Sequence, residues 1–153
     1  MYSAKGGFTL IELLIVVVVV AVLLMIAIPS YNEQAARGRR AEAKAYLMEL
    51  ASRQERFFTQ YSSYADKIHE ESCVGANCGL GMANDLSQEG HYQGSLSATP
   101  DSCTPTGTLC VSFVLAATAI NLDEKCPTLT LDHTGKKGVK DETDPIIIDY
   151  CWR

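Results

Sequence analysis

Between Phe8 and Ile28 the sequence carries 21 residues with a single charge, Glu12. At about 1.5 Å per residue a helix over this run spans roughly 31 Å, close to the hydrocarbon thickness of a bilayer. A segment of this kind is apolar on every side, so it must lie in lipid or against other helices. A carboxylate inside it costs about 2.5–3.5 kcal/mol on insertion scales, and an intramembrane acid is a functional hypothesis by default. The remaining chain has room for one modest water-facing domain.

All six cysteines, 73, 78, 103, 110, 126 and 151, lie beyond this run. An even, clustered count after an export-type segment reads as disulfides in an oxidising compartment. No paired C-x2-C set is present and no histidine stands at ligand spacing beside the cysteines, so no metal or cofactor is expected. Cys73 and Cys78 enclose four residues and read as a local staple. Cys103 and Cys110 flank a turn into a strand and are expected to bridge it. The formal net charge of −5 argues against nucleic acid as a main partner.

Cleavage of a secretory signal at Ala27-Ile28-Pro29-Ser30 matches the small-residue rule poorly. A plain anchor leaves Glu12 and the preceding Gly6-Gly7 unexplained. The stretch Gly7-Phe8-Thr9-Leu10-Ile11-Glu12-Leu13 resembles the processing motif of type IV prepilins and the related pseudopilins. The tail, Cys126-Pro127-Thr128-Leu129-Thr130-Leu131-Asp132 with Gly135-Lys136 and Cys151-Trp152, is similar to the C-terminal signature of PilE-like minor pilins. The resemblance implies that residues 1–7 are a leader, cut between Gly7 and Phe8 by a prepilin peptidase, and that Phe8 is then N-methylated. It implies that Thr9 and Glu12 serve assembly, with Glu12 pairing the new amine of a neighbouring subunit. A carboxylate that only another subunit can satisfy acts as a register device, although the residues alone also allow Glu12 to reach the amine of its own subunit. The resemblance further implies a kink at Pro29, a Cys126–Cys151 disulfide, and partners in other pilin subunits and the inner-membrane assembly machinery. The subunit is expected in the inner membrane with its head in the periplasm, then in an extracellular fimbrium. Basic residues after the run (Arg37, Arg39, Arg40, Lys44) oppose that orientation under the positive-inside rule, and the cysteines and leader motif outweigh it.

The expected fold is α+β. A long N-terminal helix, with residues 8–28 as its protruding apolar half and 29–61 as its amphipathic half, packs on an antiparallel sheet of three to four strands in a head spanning 62–153. Ala43, Tyr46, Leu47, Leu50, Phe57, Phe58 and Tyr61 fall on one helical face, with Gln54 completing the stripe. Glu49 and Arg53 form an i,i+4 pair. Arg37-Gly38-Arg39-Arg40 reads as a solvated hinge or a lipid-headgroup contact. Residues 62–90 have no period. Strands are expected on the alternations Tyr92, Gly94, Leu96, Ala98, then Leu109, Val111, Phe113, Leu115, then Thr128–Asp132 with a turn at Asp132-His133-Thr134-Gly135. The 126–151 region closes the head, and its charges, Lys136 to Asp144, read as solvated surface rather than a calcium loop.

Neither a phosphate loop nor a nucleophile elbow is present, and His69, His91 and His133 are scattered, so an enzyme is not expected. The expected function is a structural subunit of a type IV pilus, a minor pilin serving attachment, twitching motility or DNA uptake. The alternatives are a type II secretion pseudopilin and a DNA-binding or adhesive pilin subunit.

Overall fold

The computed structural model describes residues 9–71, 75–121 and 123–153. The leader, the Gly7–Phe8 junction and Cys73 therefore lie outside the described residues. The chain divides into two compact units, Met1–Arg37 and Gly38–Arg153.

Helix α1 (Leu10–Tyr61) begins in the first unit. Thr9 precedes it as N-cap: its Oγ1 accepts from the Glu12 N–H at 3.3 Å, and its carbonyl accepts from the Leu13 N–H at 3.2 Å. The segment Thr9-Leu10-Ile11-Glu12 has the S/T-x-x-E spacing of a capping box, which supplies acceptors for N–H groups that a helix start leaves unpaired. Every side chain from Leu10 to Ile28 is exposed within this unit, the large apolar ones from 46% at Val20 to 82% at Leu10. Among the described residues it is the one helix long and apolar enough to cross a membrane.

In the second unit, α1 turns one face to a core. Ala43, Tyr46, Leu47, Leu50, Gln54 and Phe57 are buried, as the stripe predicts. Phe58 and Tyr61 differ from that expectation: they are 39% and 36% exposed. The helix ends at Tyr61, and Ser62 turns the chain away with φ 54°. Their rings pack locally instead, Phe58 on Tyr64 and Tyr61 on Phe57.

Four strands follow in antiparallel order β1-β2-β3-β4: β1 (Tyr92–Thr99), β2 (Ser112–Ala119), β3 (Thr128–Asp132) and β4 (Lys137–Val139). The register pairs Tyr92 with Ala119, Leu96 with Leu115, Leu115 with Leu131, and Leu129 with Val139, which places one parity of each strand on the helix side. That face supplies Tyr92, Phe113, Leu115, Ala117, Leu129, Leu131 and Val139 to the core. Burying one such side chain is worth about 1.5–3 kcal/mol. Strand β2 starts later than the alternation from Leu109 predicts. Leu109 and Val111 are exposed, and the strand begins only at Ser112. Leu109 lies in the loop closed by Cys103–Cys110, and Val111 follows that loop with its N–H donated to the Thr99 carbonyl at 2.8 Å and its side chain in solvent.

The connection 62–90 is better anchored than its lack of period suggests. The fully buried Gln54 amide donates to the Ala65 carbonyl at 3.1 Å and accepts from the Ala65 N–H at 2.9 Å. This exchange satisfies a buried polar side chain and a non-repetitive backbone together. Ala65, Ile68 and Leu80 enter the core from this segment, which holds a short 3-10 turn, Gly75–Cys78.

The element the sequence reading missed is α2 (Pro145–Trp152). Asp144 caps it, accepting from the Ile146 N–H at 2.8 Å, and Pro145 occupies the first turn, where its missing N–H costs nothing. Cys151 is fully buried and closes onto Cys126, with Cα atoms 5.7 Å apart. Trp152 donates from Nε1 to the Gly138 carbonyl at 2.8 Å, fixing α2 to β4.

Candidate functional site

The residues expected to serve assembly lie in the first unit. Thr9 caps α1 and Glu12 sits on its first turn, as the one acid of that turn. The positive end of the helix dipole favours a carboxylate there by a few tenths to 1 kcal/mol. The cap observed at Thr9 gives Glu12 a local role that the resemblance leaves out: its own N–H is already tied, so its carboxylate is presented from an ordered turn. Pro29 lies within α1. Gly7 and Phe8 lie outside the described residues.

In the head, the first region brought together from distant sequence is centred on Arg40. The Arg-Gly-Arg-Arg stretch reads as solvated, and for Arg40 that is wrong: the residue is 3% exposed. Its Nε and Nη2 donate to Asp123 Oδ2 at 2.6 Å and Oδ1 at 2.8 Å, a bidentate pair between residues 83 apart. Asp123 Oδ1 also accepts from the Lys125 and Cys126 N–H groups at 3.2 Å. The Tyr150 ring stands 4.9 Å from the Arg40 guanidinium carbon. Burial pushes the Asp123 carboxyl up, but Arg40 and the two N–H groups outweigh it and hold it below the usual carboxylate range. Arg40 clamps α1 to the loop that carries Cys126, and through the disulfide to α2.

Around this clamp lies a basic and aromatic surface. Lys44 donates to the Arg153 carbonyl. Lys137 Nζ lies 5.3 Å from the Trp152 ring centre, and Lys125 Nζ 5.4 Å from that of Tyr150. Burial, with the nearby charges of Lys137 and Arg40, holds the Lys44 amine below its ordinary value. The cations come from α1, the β2–β3 loop and β4, so their clustering is invisible in the linear sequence.

The second region links α1 to the start of β1. Glu42 Oε2 lies 2.7 Å from His91 Nδ1, and Glu42 Oε1 accepts from the Glu89 N–H at 2.9 Å. Glu89 Oε2 is 3.7 Å from the same ring nitrogen. Burial pushes the Glu42 carboxyl up, while hydrogen bonds from Ser87, His91 and the Glu89 N–H outweigh it and lower it overall. His69 and His133 are engaged elsewhere, with the Met82 carbonyl and the Phe113 ring.

The acids near the tail are occupied locally. Glu142 Oε1 accepts from the Thr143 and Asp144 N–H groups, and Asp144 caps α2. Asp132 Oδ1 gathers the N–H groups of Thr134 and Lys136 and the Thr134 hydroxyl, closing the β3–β4 turn at Gly135 (φ +80°). The second observed disulfide, Cys103–Cys110, spans 5.2 Å between Cα atoms.

Comparison with known proteins adds four findings. The profile of the family described as type IV minor pilin ComP, DNA uptake sequence receptor, matches residues 29–130, or 102 of 153 residues. The prokaryotic N-terminal methylation motif matches residues 2–28. The type IV major pilin protein PilA of Myxococcus xanthus (strain DK1622) is 44% identical over 64 residues, which cover 42% of this chain and 29% of that protein, under a third of its length. A solved type IV pilin structure from Shewanella oneidensis aligns at 24% identity and TM-score 0.43, over 70% of this chain and 94% of that one.

Proposed function

Because this chain belongs to the family of type IV minor pilins described as ComP, DNA uptake sequence receptor, we propose that it is a minor pilus subunit that joins the fibre through its apolar helix and displays a DNA-binding head. One observation supports assembly above the rest: every described side chain from Leu10 to Ile28 is exposed in its own unit. Such a surface needs lipid before assembly and neighbouring helices after it. Lipid tails are as apolar as those side chains, so moving the helix from one to the other gains no hydrophobic free energy. Assembly therefore takes external work from an inner-membrane motor, and the subunit waits in that membrane with its head in the periplasm.

In this reading a prepilin peptidase cuts after Gly7, and the amine of Phe8 is methylated. The amine stays cationic and is costly in a dry fibre core, as is Glu12. Pairing the two across subunits satisfies both, and a mismatched register strands both, which costs about 3–5 kcal/mol for a buried charge. Pro29 supplies a point of bending within α1 when helices pack. The family and the fold are structural ones, and the head serves as a binding and packing surface. The family match favours a pilus over a secretion pseudopilus. Detergent-solubilised Glu12→Ala protein should fold as the parent does while its recovery in sheared fibres collapses. Unchanged recovery would end the register role.

DNA capture rests on a separate observation. The chain is acidic overall, yet Lys44, Lys125 and Lys137 gather beside Tyr150 and Trp152. Cations that contact phosphates, interleaved with rings that can stack on bases, are the chemistry of nucleic-acid surfaces. Gel shifts of DNA with the full chain in detergent should weaken as salt rises, and Lys137→Glu should weaken them further. A salt-independent shift, or one untouched by Lys137→Glu, would remove this surface from the account and leave assembly standing.

A further inference from the structure

Glu42, Glu89 and His91 contribute nothing to either proposed role, and they are the one group of metal-capable side chains found together among the described residues. One ligand atom from each, two carboxylate oxygens and an imidazole nitrogen, lies within 4.8 Å of the others. We propose that these three residues form a binding site for a divalent transition-metal cation, with zinc the best fit, that fastens α1 to the entry of β1.

The geometry requires little movement. Zinc binds nitrogen and carboxylate oxygen at about 2.0–2.2 Å, which puts tetrahedral ligand atoms roughly 3.4 Å apart. The His91 Nδ1 to Glu42 Oε2 separation is 2.7 Å and that to Glu89 Oε2 is 3.7 Å, so both reach that spacing by shifts under about an ångström. The remaining adjustment falls on Glu89, whose side chain is 71% exposed and can rotate. Glu42 is the fixed member. Its Oε1 is held by the Glu89 N–H, which aims Oε2 at the imidazole, the kind of supporting hydrogen bond that orients a metal-binding carboxylate.

The donor set decides the class of ion. Two carboxylates and a neutral imidazole carry a charge of −2, which a divalent cation neutralises. An imidazole nitrogen suits zinc, copper or nickel, whereas calcium and magnesium take oxygen sets. The ion takes the place of the direct Glu42–His91 contact and leaves a coordination position for water, since His91 is 32% exposed on its side chain. Residues 42 and 89–91 are far apart in sequence, so no spacing motif announces the site.

The test is calorimetric titration of ZnCl2 into the EDTA-treated full chain in detergent near neutral pH, with Co2+ absorption as a second readout. The parent should take up one zinc per chain and show the visible bands of four-coordinate cobalt. Glu89→Gln, at an exposed position, should weaken uptake by roughly tenfold or more and His91→Gln by more again. His69→Gln and His133→Gln should leave it unchanged. Absence of saturable uptake, or uptake undiminished in both Glu89→Gln and His91→Gln, would overturn the site and reduce the cluster to a His–Glu hydrogen bond.

Discussion

Asp123→Ala should be among the most damaging single changes in the head. The substitution leaves Arg40 in place with its side chain 4% exposed, strips it of two hydrogen bonds of 2.6 and 2.8 Å, and removes the acceptor of the Lys125 and Cys126 N–H groups. Stranding one member of a buried pair costs about 3–5 kcal/mol. That is about a fifth or more of the roughly 5–15 kcal/mol that holds a domain folded. Arg40→Met should cost less, about 1–3 kcal/mol, because Asp123 keeps its two backbone N–H donors. Combining the two should cost less than their sum by about 2 kcal/mol, since no charge is then stranded. Trp152, the sole tryptophan, reports the docking of α2 on β4, so urea denaturation followed by its fluorescence, with disulfides intact, measures all three variants. Acid gives a second check. The folded Asp123 carboxyl lies below its usual range, so its contribution is complete above the unfolded value, about 3.9, and is lost as pH falls through the folded one. The gap between parent and Asp123→Ala should therefore narrow in acid below about pH 4. A cost under about 1 kcal/mol for Asp123→Ala, or a coupling under about 0.5 kcal/mol, would refute the clamp.

Replacing Cys126 and Cys151 together by Ser should lower stability by about 3.5 kcal/mol, the chain-entropy value for a loop of this length, seen as a drop in the urea midpoint; a loss under about 1 kcal/mol would show that α2 docks without its covalent tie. Gly94→Ala should cost about 1–3 kcal/mol by overpacking, because a Cβ there meets Tyr46 Cε1 at 2.9 Å and Ile68 Cδ1 at 3.0 Å, and Tyr46 is held by its hydroxyl's bond to the Asp85 carbonyl. An unchanged melting curve for that variant would mean the ring yields freely. Thr9→Val should remove the N-cap acceptor at a cost of about 0.5–2 kcal/mol to the first turn, read as faster amide exchange at Glu12; exchange as slow as in the parent would show that another group caps α1.

What was legible in the sequence follows from the range of the forces involved. The apolar run is marked by unbroken composition and the stripe Ala43 to Phe57 by a local period, and the stripe residues face the core as that period requires. Strand β3 and its turn were readable because Thr128–Asp132 alternates and Asp132 stands three residues before Gly135. Helix α2 carried a signal, Asp144-Pro145 ahead of three isoleucines, but eight residues with a run of apolar side chains show no helical period, and the charges before them drew attention to surface. The Arg40–Asp123 pair, the lysine and aromatic surface, and the Glu42–His91 contact could not be read at all. Each joins residues dozens of positions apart, and tertiary packing alone decides that a cation in an Arg-Gly-Arg-Arg run is buried.

Mass spectrometry of this chain recovered from sheared pili tests the central claim most directly. The account predicts a subunit present in the fibre in small amount, starting at Phe8 with one methyl group on its amine. A chain confined to the membrane fraction and starting at Met1, or one cut after Ala27, would contradict it.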